Sequence, residues 1–302
     1  MSEQQIYDDE IDLKELVSTL WEGRQTIATI SGLAAIVSVI FALMLPNIYH
    51  STATLAPASS GGQGGLASLA SQYGNLASMA GIDLPEGELS KKDLALEVVR
   101  SRKFARDFLK KHDLKPQLMA ADYWDADTNT LVLDDDLYDV KAKKWLEDEE
   151  PLDVDVYEAF ENALIVSEDS TTGIVELGFK SKSPTEAQRW TNWAIEDLNN
   201  AIRAKDIAEA ESSIAFLREQ VKSSPLAELR KVFYDLIQAQ TETIMLAQVR
   251  EEYVFATVDP AVVPDKKAEP SRALICILIT TLGGMVSVIF VLARHYMRPE
   301  PN

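Results

Sequence analysis

The chain has few residues suited to covalent or metal chemistry. Its 302 residues include one cysteine and three histidines. A single thiol excludes an intramolecular disulfide and a cysteine-based zinc site, and Cys276 itself lies inside an apolar run. His50, His112 and His295 are scattered without metal-like spacing and read as surface or interfacial residues. Basic charge is also scarce: 29 Lys and Arg face 48 Asp and Glu, a net charge of −19. That balance argues against nucleic acid as a partner, because phosphate recognition needs a basic surface. Acidity at this level favours solubility and repels anionic partners. The glycine-rich stretch 59–65, SSGGQGG, is followed by no GxxxxGK[ST] pattern and by no basic residue before Lys91, so a phosphate cradle is not expected and no cofactor is implied.

What the chain does have is two long apolar runs. Residues 273–293 carry no charge, and at about 1.5 Å rise per residue a helix of that length just crosses a hydrocarbon core of about 30 Å. Residues 26–46 form the second run, closed by Pro46. Its leader is long and acidic, unlike that of a cleaved signal peptide, so it reads as an uncleaved anchor. Two spans place residues 1–25 and 294–302 on one side of a membrane and 47–272 on the other. Lys14, Arg24, Arg294, His295 and Arg298 fit cytoplasmic ends under the positive-inside rule, although Lys266, Lys267 and Arg272 flank the second span on the opposite face.

Small residues recur in both runs. Ala28 with Gly32, Ser31 with Ala35, and Gly283 and Gly284 with Ser287 have the spacing that lets another helix approach closely. A contact between copies is the expectation, although glycine is also common in membrane helices for no such reason. Pro260, Pro264 and Pro270 precede the second span; each lacks an N–H and pushes its predecessor toward extended geometry, which predicts a stiff, non-helical strap. Before the first span, Leu13, Leu16, Val17, Leu20 and Trp21 lie on one helical face, with Asp12 and Glu15 placed to cap it.

Between the spans the pattern is mixed. Residues 49–57 alternate as a strand, 66–80 are rich in Ala, Leu and Ser and read as helix, and 90–111 read as one helix capped by Ser90 with Leu94, Val98, Phe104 and Phe108 on one side. Residues 122–151 are acidic and irregular. Asp134, Asp135 and Asp136 and the 147–150 run lack calcium-loop spacing and read as solvated surface. A short helix from near Val154 ends around Phe160, and a hairpin turning at Gly173 joins two strand-like runs. Ser183 and Pro184 then open a helix with no strong breaker before Pro225, about 58 Å over 184–222 if continuous. A second helix returns through Leu229, Phe233, Leu236 and Leu246, and 253–258 alternate as a strand. The fold class is α+β: two transmembrane helices flanking a mixed α/β base domain with a long helical protrusion, which has too little core of its own and is expected to pack on neighbouring copies.

The sequence DEIDLKELVSTLWEGRQTI before the first span, YHSTATLAP after it, the long helical middle and the VDPAVVPDKKAEPSRAL strap into a GG-containing span resemble the chain-length determinant proteins, the Wzz or polysaccharide co-polymerase family. The resemblance covers essentially the whole chain. It implies a bacterial inner-membrane protein with a periplasmic α/β base, assembled as a ring-like homo-oligomer. It further implies a Wzy-type polymerase and a lipid-linked glycan as partners, and control of the modal length of O-antigen or a related surface glycan. By position, Pro260, Pro264 and Pro270 match the family's proline-rich segment, and Gly283 and Gly284 its second-span glycines. The short tail after the second span, without a Walker motif, departs from the tyrosine-kinase-bearing relatives.

Three readings are compatible with these features. A non-enzymatic regulator and scaffold of glycan polymerisation fits the long helix, the small-residue spans and the missing reactive constellation. An adaptor for capsule or exopolysaccharide export would use a separate kinase. A membrane glycan-modifying enzyme would need positioned carboxylates, for which Asp134–Asp136 are the candidates.

Overall fold

The computed structural model describes residues 13–58, 90–146 and 150–297, in two compact units: Met1–Asn47 with Ala268–Asn302, and Ile48–Lys267. The expected helix at 66–80, the loop at 59–65, the acidic residues 147–149 and the side chains of Leu13 and Leu16 lie outside the described part.

The first unit is helical. α1 (Leu13–Glu22) and α2 (Arg24–Met44) succeed one another across Gly23, and α9 (Arg272–Tyr296) runs antiparallel to α2. α2 stops at Leu45, which is extended, because Pro46 can neither donate to the helical ladder nor leave its predecessor helical. Both α2 and α9 are long and apolar enough to cross a membrane. They expose what a soluble helix hides: Ile36, Ile40 and Phe41 on α2, and Ile277, Leu282 and Ile289 on α9, are all more than half exposed. Such surfaces are compatible with a hydrocarbon surrounding.

The second unit is built on a four-stranded antiparallel sheet in the order β6-β7-β1-β8, from β1 (Tyr49–Pro57), β6 (Leu164–Glu168), β7 (Val175–Ser181) and β8 (Phe255–Asp259). Period-2 alternation sends Ser51, Ala53 and Leu55 of β1 inward, beside Phe179, Leu177 and Val175 of β7 in matching register. Gly178 on the other face admits no side chain, since a Cβ there would lie 2.2 Å from the Ser51 carbonyl oxygen. Gly173, with φ +71°, supplies the left-handed step of the β6–β7 turn.

The helices of this unit are α3 (Lys91–Val99), α4 (Arg102–Lys111), α5 (Lys115–Met119), α6 (Asp153–Ala163), α7 (Pro184–Ser223) and α8 (Ala227–Val249); α6 and α7 lie against the sheet, and α8 packs along α7. The core centres on Phe179, whose ring lies 5.6 Å from Phe108, 5.6 Å from Phe160 and 6.2 Å from Trp190. Each of these aromatic side chains is essentially fully buried, contributing about 2–3 kcal/mol by the area removed from water. α7 opens as expected, with the Ser183 hydroxyl accepting from the Glu186 N–H and Pro184 in the first turn. Its 40 residues give a helix of about 60 Å.

Some expectations are corrected. Residues 90–111 form two helices, because Ser101 caps a new start: its hydroxyl accepts from the Phe104 N–H at 3.2 Å and donates to the Val98 carbonyl at 2.7 Å. The inward face of α3 is accordingly Ala95 and Val99, with Leu94 and Val98 at its margin. Residues 121–145 are not irregular. They pair as β2 (Ala121–Asp125) with β3 (Thr130–Leu133), and as β4 (Tyr138–Asp139) with β5 (Lys144–Trp145). His112 is tucked between helices α4 and α7, its ring 4.3 Å from Trp193 and its Nε2 2.9 Å from Asp197 Oδ2.

Candidate functional site

Two places collect the residues singled out by the sequence, one in each unit. In the second unit, β8 returns beside β1 with Thr54 opposite Asp259, so the unit's first and last strands are neighbours. The chain then leaves β8 through Pro260 and stays non-helical to Lys267. Two side chains hold its backbone. The Ser51 hydroxyl donates to the Val262 carbonyl at 2.7 Å, and Gln188 Nε2 donates to the Ala261 carbonyl at 2.9 Å. Ala261 is buried in the core, while Val262 and Val263 turn outward. Pro260 is exposed and Pro264 half-buried. Proline suits this segment, where no ladder asks for its N–H and extended geometry is wanted.

Pro270 belongs to the first unit and is half-buried just before α9. There the Arg272 guanidinium donates to the Leu45 carbonyl at 3.2 Å and to Asn47 Oδ1 at 3.1 Å, tying the start of α9 to the end of α2. Further along, Gly283 lies against Ala34 so closely that a Cβ on it would come within 2.5 Å of the alanine methyl. Gly284 stands over Ser31, and Ser287 is fully buried. These three residues therefore serve the pairing of α2 and α9 within one chain. Ala28 and Gly32 point elsewhere: both are exposed, with nothing within 4 Å of a Cβ at Gly32.

A polar cluster that no spacing announced fastens α7 to the segment leading into β8. Lys91 Nζ reaches Asp206 Oδ2 at 2.6 Å and the Tyr253 hydroxyl at 3.1 Å, and that hydroxyl donates to the same carboxylate at 2.7 Å. Burial works against the Lys91 ammonium, but its bonds to Asp206 and Tyr253 outweigh it and raise the lysine above its ordinary value. Burial, and then the Asp206 carboxylate, push the Tyr253 phenol up as well. Next to them the buried Asn199 accepts from the N–H groups of Val254 and Phe255 at 2.8 and 3.0 Å and donates to the Phe255 carbonyl at 3.2 Å. Arg203 adds bonds to the Arg250 and Glu251 carbonyls.

Asp134, Asp135 and Asp136 do not converge on a cleft. The Asp134 carboxylate accepts from the Asp136 N–H at 2.9 Å, closing a turn, and Asp135 and Asp136 are exposed. Among the described residues no three His, Cys, Asp or Glu side chains are placed to hold a metal ion.

The sequence model of the Wzz chain length determinant protein matches residues 9–112. A second model, GNVR, described as "G-rich domain on putative tyrosine kinase", matches residues 229–296, which include β8, the strap and all of α9. Residues 9–112, about a third of the chain, are thus similar to the chain length determinant family. No curated protein matches the sequence. Among solved structures it is similar to a full-length bacterial polysaccharide co-polymerase, with 14% identity, a TM-score of 0.38, and coverage of 95% of this chain and 98% of that one. A fragment of WzzB, a polysaccharide co-polymerase from Salmonella Typhimurium, matches with 13% identity and a TM-score of 0.28, over 74% of this chain and 100% of the fragment.

Proposed function

We propose that the chain is a non-enzymatic regulator of the modal length of O-antigen or a related Wzy-dependent surface polysaccharide. It acts as a ring-like homo-oligomeric scaffold for the membrane polymerase and the growing lipid-linked glycan. In this reading α2 and α9 span the bacterial inner membrane, residues 1–25 and 294–302 are cytoplasmic, and 47–272 are periplasmic. The observation that carries it is the Wzz match running from α1 through the first span, β1 and α4. The proline strap would fix the returning strand beside its starting point, and the paired spans would present a common surface to the polymerase. The turn built by Asp134 supports a scaffold over a hydrolase, because its carboxylate is used on its own backbone.

The test is deletion of the gene in its host, with electrophoresis of the surface polysaccharide as the readout. A lost or shifted modal length is expected, restored by the gene in trans, and an unchanged length distribution sinks the reading. Alkaline phosphatase fused within the β2–β3 turn should be active and fused after Asn302 inactive.

The GNVR match favours a second reading, in which the chain is the co-polymerase subunit of a capsule or exopolysaccharide system with a separate tyrosine kinase. Co-purification of a phosphorylated kinase with the detergent-solubilised chain, with O-antigen length untouched by deletion, would select it.

A further inference from the structure

The hairpin of α7 and α8 has an unpartnered face on each helix, and both are turned away from the hairpin's own seam. Beyond the base, α7 buries Ala210, Ile214 and Leu217, and α8 buries Val232, Phe233 and Ala239. At 3.6 residues per turn, the opposite side of α8 carries Tyr234, Gln238, Thr241 and Met245, uncharged and alternately four and three residues apart, the period of a coiled-coil seam. Tyr234 is 60% exposed and Met245 61%. The opposite side of α7 carries Ala204, Lys205, Ala208, Ser212 and Ala215, all exposed, with Phe216, 56% exposed, at its edge.

The two faces complement each other in charge and size. α7 and α8 are joined across residues 224–226, so residues equally distant from that turn stand at about the same level. Tyr234 is then level with Ala215, and Met245 with Ala204. Lys205 falls within one helical turn of the level of Glu242, and Glu219 shares that of Arg230. Among the described residues Lys205, Glu242 and Arg230 make no ion pair, and Glu219 meets Lys222 alone, at 3.2 Å. Tyr234 and Met245 thus stand at the height of small side chains on α7, and Lys205 and Glu219 near the heights of charges of opposite sign. Neither face complements itself, which disfavours a two-fold pairing and selects a head-to-tail one.

We propose that the outer face of α8 in one copy seats on the outer face of α7 in the next copy, with copies side by side in one orientation. Tyr234 and Met245 are the knobs, and Lys205–Glu242 and Glu219–Arg230 set the register. This rests on the scaffold reading and specifies which surfaces build the scaffold.

The experiment uses the full chain in detergent with Cys276→Ser. In the double variant Ala208→Cys/Thr241→Cys the two thiols face away from each other within one hairpin. A disulfide needs Cα atoms within about 7 Å, whereas packed helix axes are already about 8–10 Å apart, so any disulfide joins two copies. A ladder of dimers and higher species is expected on non-reducing gels. Dimers are also expected when the single variants are co-expressed, and none from either alone. Independently, Lys205→Glu or Glu242→Lys should each lower the oligomeric fraction about threefold, as loss of an exposed pair plus like-charge repulsion implies, and the two together in one chain should restore it. If the wild type sediments as an oligomer without the ladder or the charge rescue, this interface is wrong and the scaffold stands. If the wild type is a monomer, both fall.

Discussion

Ser51 and Val262 lie at opposite ends of the second unit's sequence, 211 residues apart, yet the serine hydroxyl donates to the valine carbonyl at 2.7 Å. Ser51 sits on the strand that opens the unit, Val262 on the strap that closes it, and the serine is 2% exposed. The bond therefore holds the exit of the unit against its entrance from a buried donor. Ser51→Ala removes the donor and leaves a carbonyl short of a partner, which costs about 1–2 kcal/mol. We expect a lower thermal midpoint for the detergent-solubilised chain and faster proteolytic nicking near Lys266 and Lys267. Gln188→Ala, which frees the adjacent carbonyl of Ala261, should act in the same direction, and the double variant should exceed either alone.

The pairing of α2 and α9 predicts a contrast between two glycines. Gly283→Ala places a methyl within 2.5 Å of Ala34 Cβ, so the helices must move apart. Gly32→Ala meets nothing within 4 Å and removes a flexible helix residue. Thermal unfolding in detergent should show Gly283→Ala destabilised by about 1–3 kcal/mol, the usual range for overpacking, and Gly32→Ala unchanged or slightly stabilised. Equal effects would mean that the spans do not pair in this way.

Asn199 predicts the largest single effect in the second unit. Its side chain satisfies two N–H groups and one carbonyl where the chain enters β8. Asn199→Ala strands all three in the core, a cost of about 3 kcal/mol or more. Asn199→Asp keeps both acceptor contacts but loses the donor and buries a charge, so it should also destabilise. Chemical denaturation monitored by tryptophan fluorescence separates these from the milder Ser51→Ala.

The contrast between the spans and Asn199 shows which features a sequence can reveal. The spans, β1, the Gly173 hairpin and α7 are written in local signals: apolar length, alternation, and serine–proline at a helix start. The break at Ser101 is also local, but Phe104 and Phe108 continue the apolar face across it and hide it. In β2–β5 short strands are buried in an acidic stretch whose charge dominates the pattern. Ser51–Val262, Asn199 with the start of β8, and Lys91 with Tyr253 join residues 55 to 211 positions apart. No spacing rule reaches that far. Gly283 and Gly284 carry a close-approach spacing but not the identity of the partner, which in this chain is its own α2.

Lys91 and Tyr253 give a pH dependence with a definite sign. Both groups are raised in the folded chain, the lysine above its ordinary 10.5 and the tyrosine above its ordinary 10.0. The folded state binds these protons more tightly, so their contribution is full below the ordinary values and is lost as pH rises through the folded ones. Stability should be flat in these groups at neutral pH and fall above about pH 10. Lys91→Met with Tyr253→Phe should flatten that alkaline fall, although Asp206 then lacks both partners and the variant is weaker at pH 7. Unfolding midpoints measured across the alkaline range decide it, and an alkaline slope unchanged by the double variant would exclude the cluster as its source.

The strap supplies the prediction that reaches function. Its backbone is fixed by Ser51 and Gln188 at residues 261 and 262, and Pro264 and Pro270 stiffen the remaining stretch on the way to α9. Pro264→Ala with Pro270→Ala removes no hydrogen-bonding group and touches no carboxylate, so the fold of the second unit should survive with its thermal midpoint lowered by no more than a few degrees. The freedom of the segment is what changes, since each alanine reopens backbone conformations that proline forbids. If the strap fixes the returning strand for assembly, the double variant should expand the oligomer's size distribution and broaden the modal length of the polysaccharide in a complemented deletion strain. A sharp, unshifted mode from a normally assembled double variant would leave those prolines as spacers only.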